Sequence, residues 1–185
     1  MAYIESNMMP LGTKAPPFQL RDTVSDKVLT LDELKGDNAT VVMFICNHCP
    51  YVIHVNEQLV ALAADYIPRG VGFIAISSND AEAYPQDGPE KMKETALQLN
   101  YPFPYLYDES QEVARLYDAA CTPDLYLFDK EMKLVYRGRL DASRPKSELP
   151  VTGADLRAAI DAVLDGRQVN EVQYPSGGCN IKWKN

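Results

Sequence analysis

A buried strand that runs straight into a cysteine pair constrains this chain more than any other feature. Residues 40–45 form a continuous apolar run of the kind buried on both faces of a parallel sheet. Cys46-Asn-His-Cys49 follows at once, and from Pro50 the apolar residues recur at helical spacing. Two thiols at a strand-to-helix junction suit disulfide exchange, whereas in a flexible loop the same pair would more often bind zinc.

The periodicity around this junction predicts alternating strands and helices. The apolar stripe of the helix that begins at Pro50 consists of Val52, Val55, Leu59, Leu62 and Tyr66. A second buried strand over 71–77 completes a strand–helix–strand unit. The other predicted elements, in chain order, are an N-terminal hairpin (12–22 with 27–30), a helical turn (32–35), helices (89–99 and 111–117), a hairpin (124–128 with 134–137) and a final helix (154–164).

Composition favours one domain and argues against several classes of protein. We expect a single domain over 1–185, with a core at about 12–166 and a C-terminal tail over 167–185. The net charge of -8 and the lack of a basic, aromatic stretch argue against nucleic acid as a partner. No apolar stretch is long enough for a membrane helix, and the N-terminal residues lack a basic head, which favours a cytoplasmic protein. Four cysteines are too few for a disulfide scaffold.

The order of elements, with a Cys-x-x-Cys at the first strand-to-helix junction, resembles the thioredoxin fold. The resemblance implies an α/β architecture with a central mixed sheet flanked by helices. The residue pattern itself predicts that the hairpin is an N-terminal extension and that a Pro- and Tyr-rich insertion follows the strand–helix–strand unit, over 79–108. That insertion could form a lid over the thiols or an ordinary satellite core.

Further motifs resemble one branch of that fold. Gly12 with Ala15-Pro-x-Phe18-x-Leu20 is similar to the opening of the alkyl hydroperoxide reductase, thiol-specific antioxidant and TlpA-like branch. Cys121-Thr-Pro-Asp124 and Gly178-Cys-Asn-Ile-Lys-Trp183 are similar to segments of its peroxiredoxin-like thiol-disulfide isomerases. The resemblance implies that Thr122-Pro123 is a cis-proline loop that faces the cysteine pair and binds an extended substrate. It also implies a disulfide-bearing protein or small molecule as substrate, and an external thiol reductant such as thioredoxin.

The predicted chemistry is thiol-disulfide exchange. We expect Cys46 at the N-cap of the helix, where amide donors and the helix dipole lower its pKa and make it the nucleophile. His48 would favour the thiolate further, and Cys49 would resolve the mixed disulfide. Cys121 is a core thiol or an additional redox residue, and Cys179 is either a further resolving thiol or a packed anchor for the tail. No cofactor and no metal are predicted.

Three alternatives to this assignment stay open. In a peroxidase, Cys49 would attack peroxide; the Pro-x-x-x-Thr-x-x-Cys pattern of peroxiredoxins requires Pro at Val42 and Thr at Cys46, and both positions depart from it. In a zinc site, the cysteine pair would need two more ligands, for which the candidates are His48, His54, Cys121 and Cys179. The third alternative is a redox-sensing or metal-binding module that carries out no catalysis.

Overall fold

A seven-stranded mixed sheet organises the computed structural model, which describes residues 3–185. The strands are β1 (Tyr3–Glu5), β2 (Gln19–Asp22), β3 (Val28–Thr30), β4 (Ala39–Phe44), β5 (Val71–Ser77), β6 (Tyr105–Tyr107), β7 (Cys121–Thr122), β8 (Asp124–Asp129), β9 (Leu134–Gly138) and β10 (Gly177–Asn180). The helices are α1 (Leu31–Leu34), α2 (Pro50–Tyr66), α3 (Pro89–Gln98), α4 (Glu112–Leu116) and α5 (Ala154–Leu164). The main sheet has the order β3-β2-β6-β5-β4-β8-β9. The predicted mixed α/β fold is therefore confirmed.

Strand β4 is the central strand, as the apolar run predicts. It pairs parallel with β5 and antiparallel with β8, and all six of its residues are buried. Its side chains alternate between two cores: Val41 and Met43 pack with α2, α3 and α5, whereas Val42 and Phe44 pack with α1 and α4. Helices on both faces explain why the strand is apolar throughout and does not alternate with polar residues.

The helix after the cysteine pair begins at Pro50, and its predicted apolar stripe is buried against the sheet. Proline is tolerated there because the first turn of a helix has no intrahelical partner for its amide. No helix within the described residues has both the length and the apolar character needed to cross a bilayer.

The two ends of the chain form a second sheet that the sequence does not predict. Strand β10 lies between β1 and β7, antiparallel to both, in the order β1-β10-β7. Glycines at the start of β10 give it low strand propensity, so its pairing partners stabilise it. Strand β6 is also absent from the predictions, because the prolines before it mask a three-residue strand that pairs parallel with β5.

Candidate active site

The cysteine pair lies in the loop between β4 and α2, but its place relative to the helix differs from the prediction. Cys49, not Cys46, is the N-cap residue of α2. Cys46 lies in the loop shortly after the end of β4. The prediction that Cys46 occupies the N-cap is therefore wrong, because the helical conformation starts only at Pro50. The second cysteine of the pair therefore lies at the positive end of the α2 dipole.

The loop between β7 and β8 faces both cysteines. The Thr122–Pro123 peptide bond is cis, as predicted. The Cys46 Sγ lies 3.5 Å from the Thr122 hydroxyl, and the Cys49 Sγ lies 3.3 Å from the Thr122 carbonyl oxygen. The structure thus brings together the cysteine pair and the proline loop, which are more than seventy residues apart in the sequence.

A third cysteine reaches the site from the C-terminal strand. The Cys179 Sγ on β10 lies 2.7 Å from the Cys49 Sγ. Cys179 is held there because it pairs with Thr122 on one side and with Tyr3 on the other. All three sulfur-bearing residues are buried. Cys49 is therefore the middle member of a chain of three sulfurs, with Cys46 and Cys179 on either side.

The middle sulfur of this chain is the acidic one. Hydrogen bonds lower the pKa of Cys49 to about 4, although burial opposes this shift. The Cys46 thiol has the largest effect, and smaller effects come from the Cys179 thiol, the Thr122 hydroxyl and the Val52 amide. At neutral pH the site therefore holds a thiolate on Cys49.

The two flanking cysteines keep their protons. Donation to Cys49, burial and the negative charge of Asp87 raise the pKa of Cys46 far above its usual range. Burial and the Cys49 sulfur raise the pKa of Cys179 to about 12, while the positive charge of Lys182 lowers it slightly. The predicted lowering of the Cys46 pKa is therefore wrong. Cys46, which is nearer the Asp87 carboxylate, keeps its proton, whereas Cys49 at the N-terminus of α2 loses its proton.

Asp87 is the site residue that the sequence analysis misses. Its Oδ1 accepts a 2.9 Å hydrogen bond from the Asn47 backbone amide, and its Oδ2 accepts one of 2.8 Å from the Asn79 side chain. The His48 Nδ1 lies 2.5 Å from the same Oδ2, although the ring N–H is not aligned for a hydrogen bond. This fully buried carboxylate fixes the loop between the two cysteines. The sequence signal that could have drawn attention to Asp87 is the Asp87-Gly88 dipeptide, which is typical of a turn and comes directly before α3.

The aromatic insertion packs against the loop between the two cysteines. The Tyr84 ring stacks on His48, with 5.6 Å between centroids and 5° between planes. The Tyr105 hydroxyl donates to the Asn47 side-chain oxygen at 3.0 Å. The side chains of Asn47 and His48, the two residues between the cysteines, are thus held by residues from the segment after β5. The loop is therefore preorganised.

One cluster of possible metal ligands exists among the described residues. Ligand atoms of Cys46, His48 and Asp87 all lie within 4.8 Å of one another. The Asp87 oxygens, however, already accept hydrogen bonds from two amide donors and contact His48. The cluster also leaves out the predicted further ligands His54, Cys121 and Cys179. The hydrogen-bond pattern therefore suits an ordered loop better than a metal site.

Cys121 lies next to the site but outside the sulfur chain. Its Sγ lies 3.6 Å from the Pro123 carbonyl oxygen, and no hydrogen bond joins it to another cysteine in the part of the chain that is described. Burial raises its pKa well above the usual range, so it remains a thiol. These features match a packed core thiol, which is one of the two predicted roles.

The fold and the sulfur chain together define a thioredoxin-fold thiol protein. A family model described as the AhpC/TSA family matches residues 11–137. This is more than half of the chain, which therefore belongs to the AhpC/TSA family. Membership supports a thiol redox function and is typical of redox enzymes.

Solved structures share the fold of this chain. An uncharacterized conserved protein from Geobacillus kaustophilus is 62% identical, with a TM-score of 0.98, over 100% of this chain and 97% of its own. A hypothetical protein from Sinorhizobium meliloti is 48% identical, with a TM-score of 0.95, over 97% of this chain and 98% of its own. Peroxidoxin BcpB from Mycobacterium tuberculosis is 18% identical over 85% of this chain and 97% of its own, and its TM-score of 0.63 shows a shared fold. No curated protein matches the chain.

Proposed function

We propose that the protein is a thiol-disulfide oxidoreductase in which Cys49 attacks the substrate and Cys46 resolves the mixed disulfide. The observation that carries the proposal is the position of Cys49, a thiolate at the N-cap of α2 with a protonated thiol beside it. Attack requires a thiolate, and resolution requires a second thiol within reach of the same sulfur. The roles of the two cysteines are thus the reverse of those that the sequence alone suggests.

The substrate is a disulfide-bearing protein or small molecule. The cis-Pro123 loop lies beside the sulfurs, and the backbone of Thr122 faces Cys49. After exchange, an external thiol reductant in a reducing compartment such as the cytoplasm would restore the dithiol.

Reduction of insulin disulfides, followed in one reductant, tests this assignment. We expect Cys49→Ser to lose activity to the background level, because the substitution removes the attacking thiolate. Cys46→Ser should turn over more slowly, because it lacks the thiol that resolves the mixed disulfide on Cys49. Cys121→Ser is the matched control and should keep the wild-type rate. Full activity in Cys49→Ser would show that the proposal is wrong.

Peroxide reduction is the second candidate, and the same residue favours it. A thiolate at the N-cap of the helix after β4 is placed to attack peroxide, and the chain belongs to the AhpC/TSA family. Two residues argue against peroxide reduction. Val42, where the peroxiredoxin pattern has proline, is buried in the middle of β4, and Cys46, where the pattern has threonine, has no hydroxyl. Peroxide consumption that is fast in wild type and absent in Cys49→Ser would favour this candidate. Slow consumption in both would favour disulfide exchange.

A further inference from the structure

The third sulfur of the site, on Cys179, has no place in a mechanism with two cysteines. It lies 2.7 Å from Cys49 and comes from β10, which is 130 residues further along the chain. A cysteine that merely anchored the C-terminal segment would not need to contact the reactive sulfur. The segment also has other anchors, because the Ile181 amide donates to the Ala120 carbonyl and the Gln111 side chain donates to the Lys182 carbonyl.

We propose that Cys179 is a second resolving thiol, so that Cys49 forms a disulfide either with Cys46 or with Cys179. The proposal rests on the proposed function, in which Cys49 is the attacking thiolate. The Cys49–Cys179 disulfide would join the N-terminus of α2 to β10, and it would leave Cys46 reduced.

The exchange balances without any further reactant. The Cys49 thiolate attacks a substrate disulfide, forms a mixed disulfide and releases one substrate thiolate. That thiolate takes the proton of Cys179, whose sulfur then attacks Cys49. The bond between Cys49 and the substrate breaks, and the second substrate thiolate leaves. The substrate gains two electrons, and the two protein thiols lose them to form the new disulfide.

The surroundings of Cys179 fit this role. The Cys49 sulfur is a cause of the raised pKa of Cys179, and its negative charge disappears once Cys49 is in a mixed disulfide. Lys182 then favours the Cys179 thiolate, whereas Asp87 disfavours the Cys46 thiolate. Of the two flanking thiols, Cys179 thus has the more favourable charge environment for attack.

Peptide mapping separates the two disulfides because of where Lys and Arg lie. Cys46 and Cys49 share one tryptic peptide, 36–69, whereas Cys179 lies in 168–182. A Cys49–Cys179 disulfide therefore cross-links two peptides, and a Cys46–Cys49 disulfide stays within one. The experiment treats each variant with oxidised glutathione, alkylates the remaining thiols and maps the products by mass spectrometry.

The decisive variant is Cys46→Ser. We expect it to lose its glutathione adduct and to give the cross-linked 36–69 and 168–182 peptides, whereas Cys46→Ser/Cys179→Ser should retain glutathione on Cys49. Cys46→Ser/Cys121→Ser, the matched control, should still give the cross-link. A persistent glutathione adduct on Cys49 beside an alkylated Cys179 would overturn the role of Cys179 and leave the proposed function intact. No adduct and no cross-link at Cys49 would overturn the proposed function itself.

Discussion

The two sides of Cys49 differ in charge and in rigidity. On one side Cys46 lies in a loop fixed by the buried carboxylate of Asp87. On the other side Cys179 lies in a strand, paired on both edges, with the positive charge of Lys182 nearby. Both flanking sulfurs are protonated, yet a negative charge holds the proton on Cys46 more firmly. The comparison teaches that sequence distance from the reactive cysteine does not decide which thiol can resolve it.

The position of Cys179 in β10 depends on its neighbour Gly178, and substitution of Gly178 should cause the largest loss of stability. A Cβ on Gly178 would overlap the backbone carbonyl of Thr122, which cannot move without separating β10 from β7. We expect Gly178→Ala to lower the free energy of unfolding by about 3 kcal/mol or more and to weaken the Cys49–Cys179 cross-link. Urea denaturation under reducing conditions measures the first effect, and peptide mapping measures the second.

Gly177→Ala is the matched control for this substitution. Its Cβ would meet the hydroxyl end of the Tyr3 side chain, which can rotate away, so the loss of stability should be much smaller. Equal losses for the two variants would contradict the view that close packing of β10 on β7 positions Cys179.

The contrast between the two sides also explains what the sequence could predict. Continuous apolar runs and helical periodicity locate β4, β5, α2 and α5, because local pattern determines those elements. The second sheet and Cys179 escape prediction, since β10 is ordered by pairing with strands far away in the chain. The N-cap of α2 is Cys49 and not the predicted Cys46, because the exact start of a helix depends on backbone geometry. Asp87 acts through burial, which the sequence does not reveal.

Removal of the charge on the loop side should have an intermediate effect. In Asp87→Asn, either the Asn47 amide or the Asn79 side chain would face an NH₂ group in place of a carboxylate oxygen, so stability should fall by about 1–3 kcal/mol. Loss of the negative charge should also lower the pKa of Cys46, so that its alkylation begins at a lower pH than in wild type. Glu90→Gln, which removes an exposed charge nearby, is the control and should change neither quantity. An unchanged alkylation profile in Asp87→Asn would remove the electrostatic difference between the two sides.

The smallest expected effect is the change in stability that Cys49 causes over the single pH unit between about pH 6 and about pH 7. Because its pKa is about 4 in the folded state and 9.0 without perturbation, the unfolded state binds more protons between these values. Stability should therefore rise with pH across this window, by at most about 1.4 kcal/mol per pH unit, and this contribution is lost as pH falls through about 4. Urea denaturation at about pH 6 and about pH 7 under reducing conditions should show a steeper rise for wild type than for Cys49→Ser. Cys121→Ser should keep the wild-type slope, since Cys121 stays protonated throughout. If Cys49→Ser keeps that slope as well, the thiolate is not on Cys49, and the central sulfur does not differ from its two neighbours.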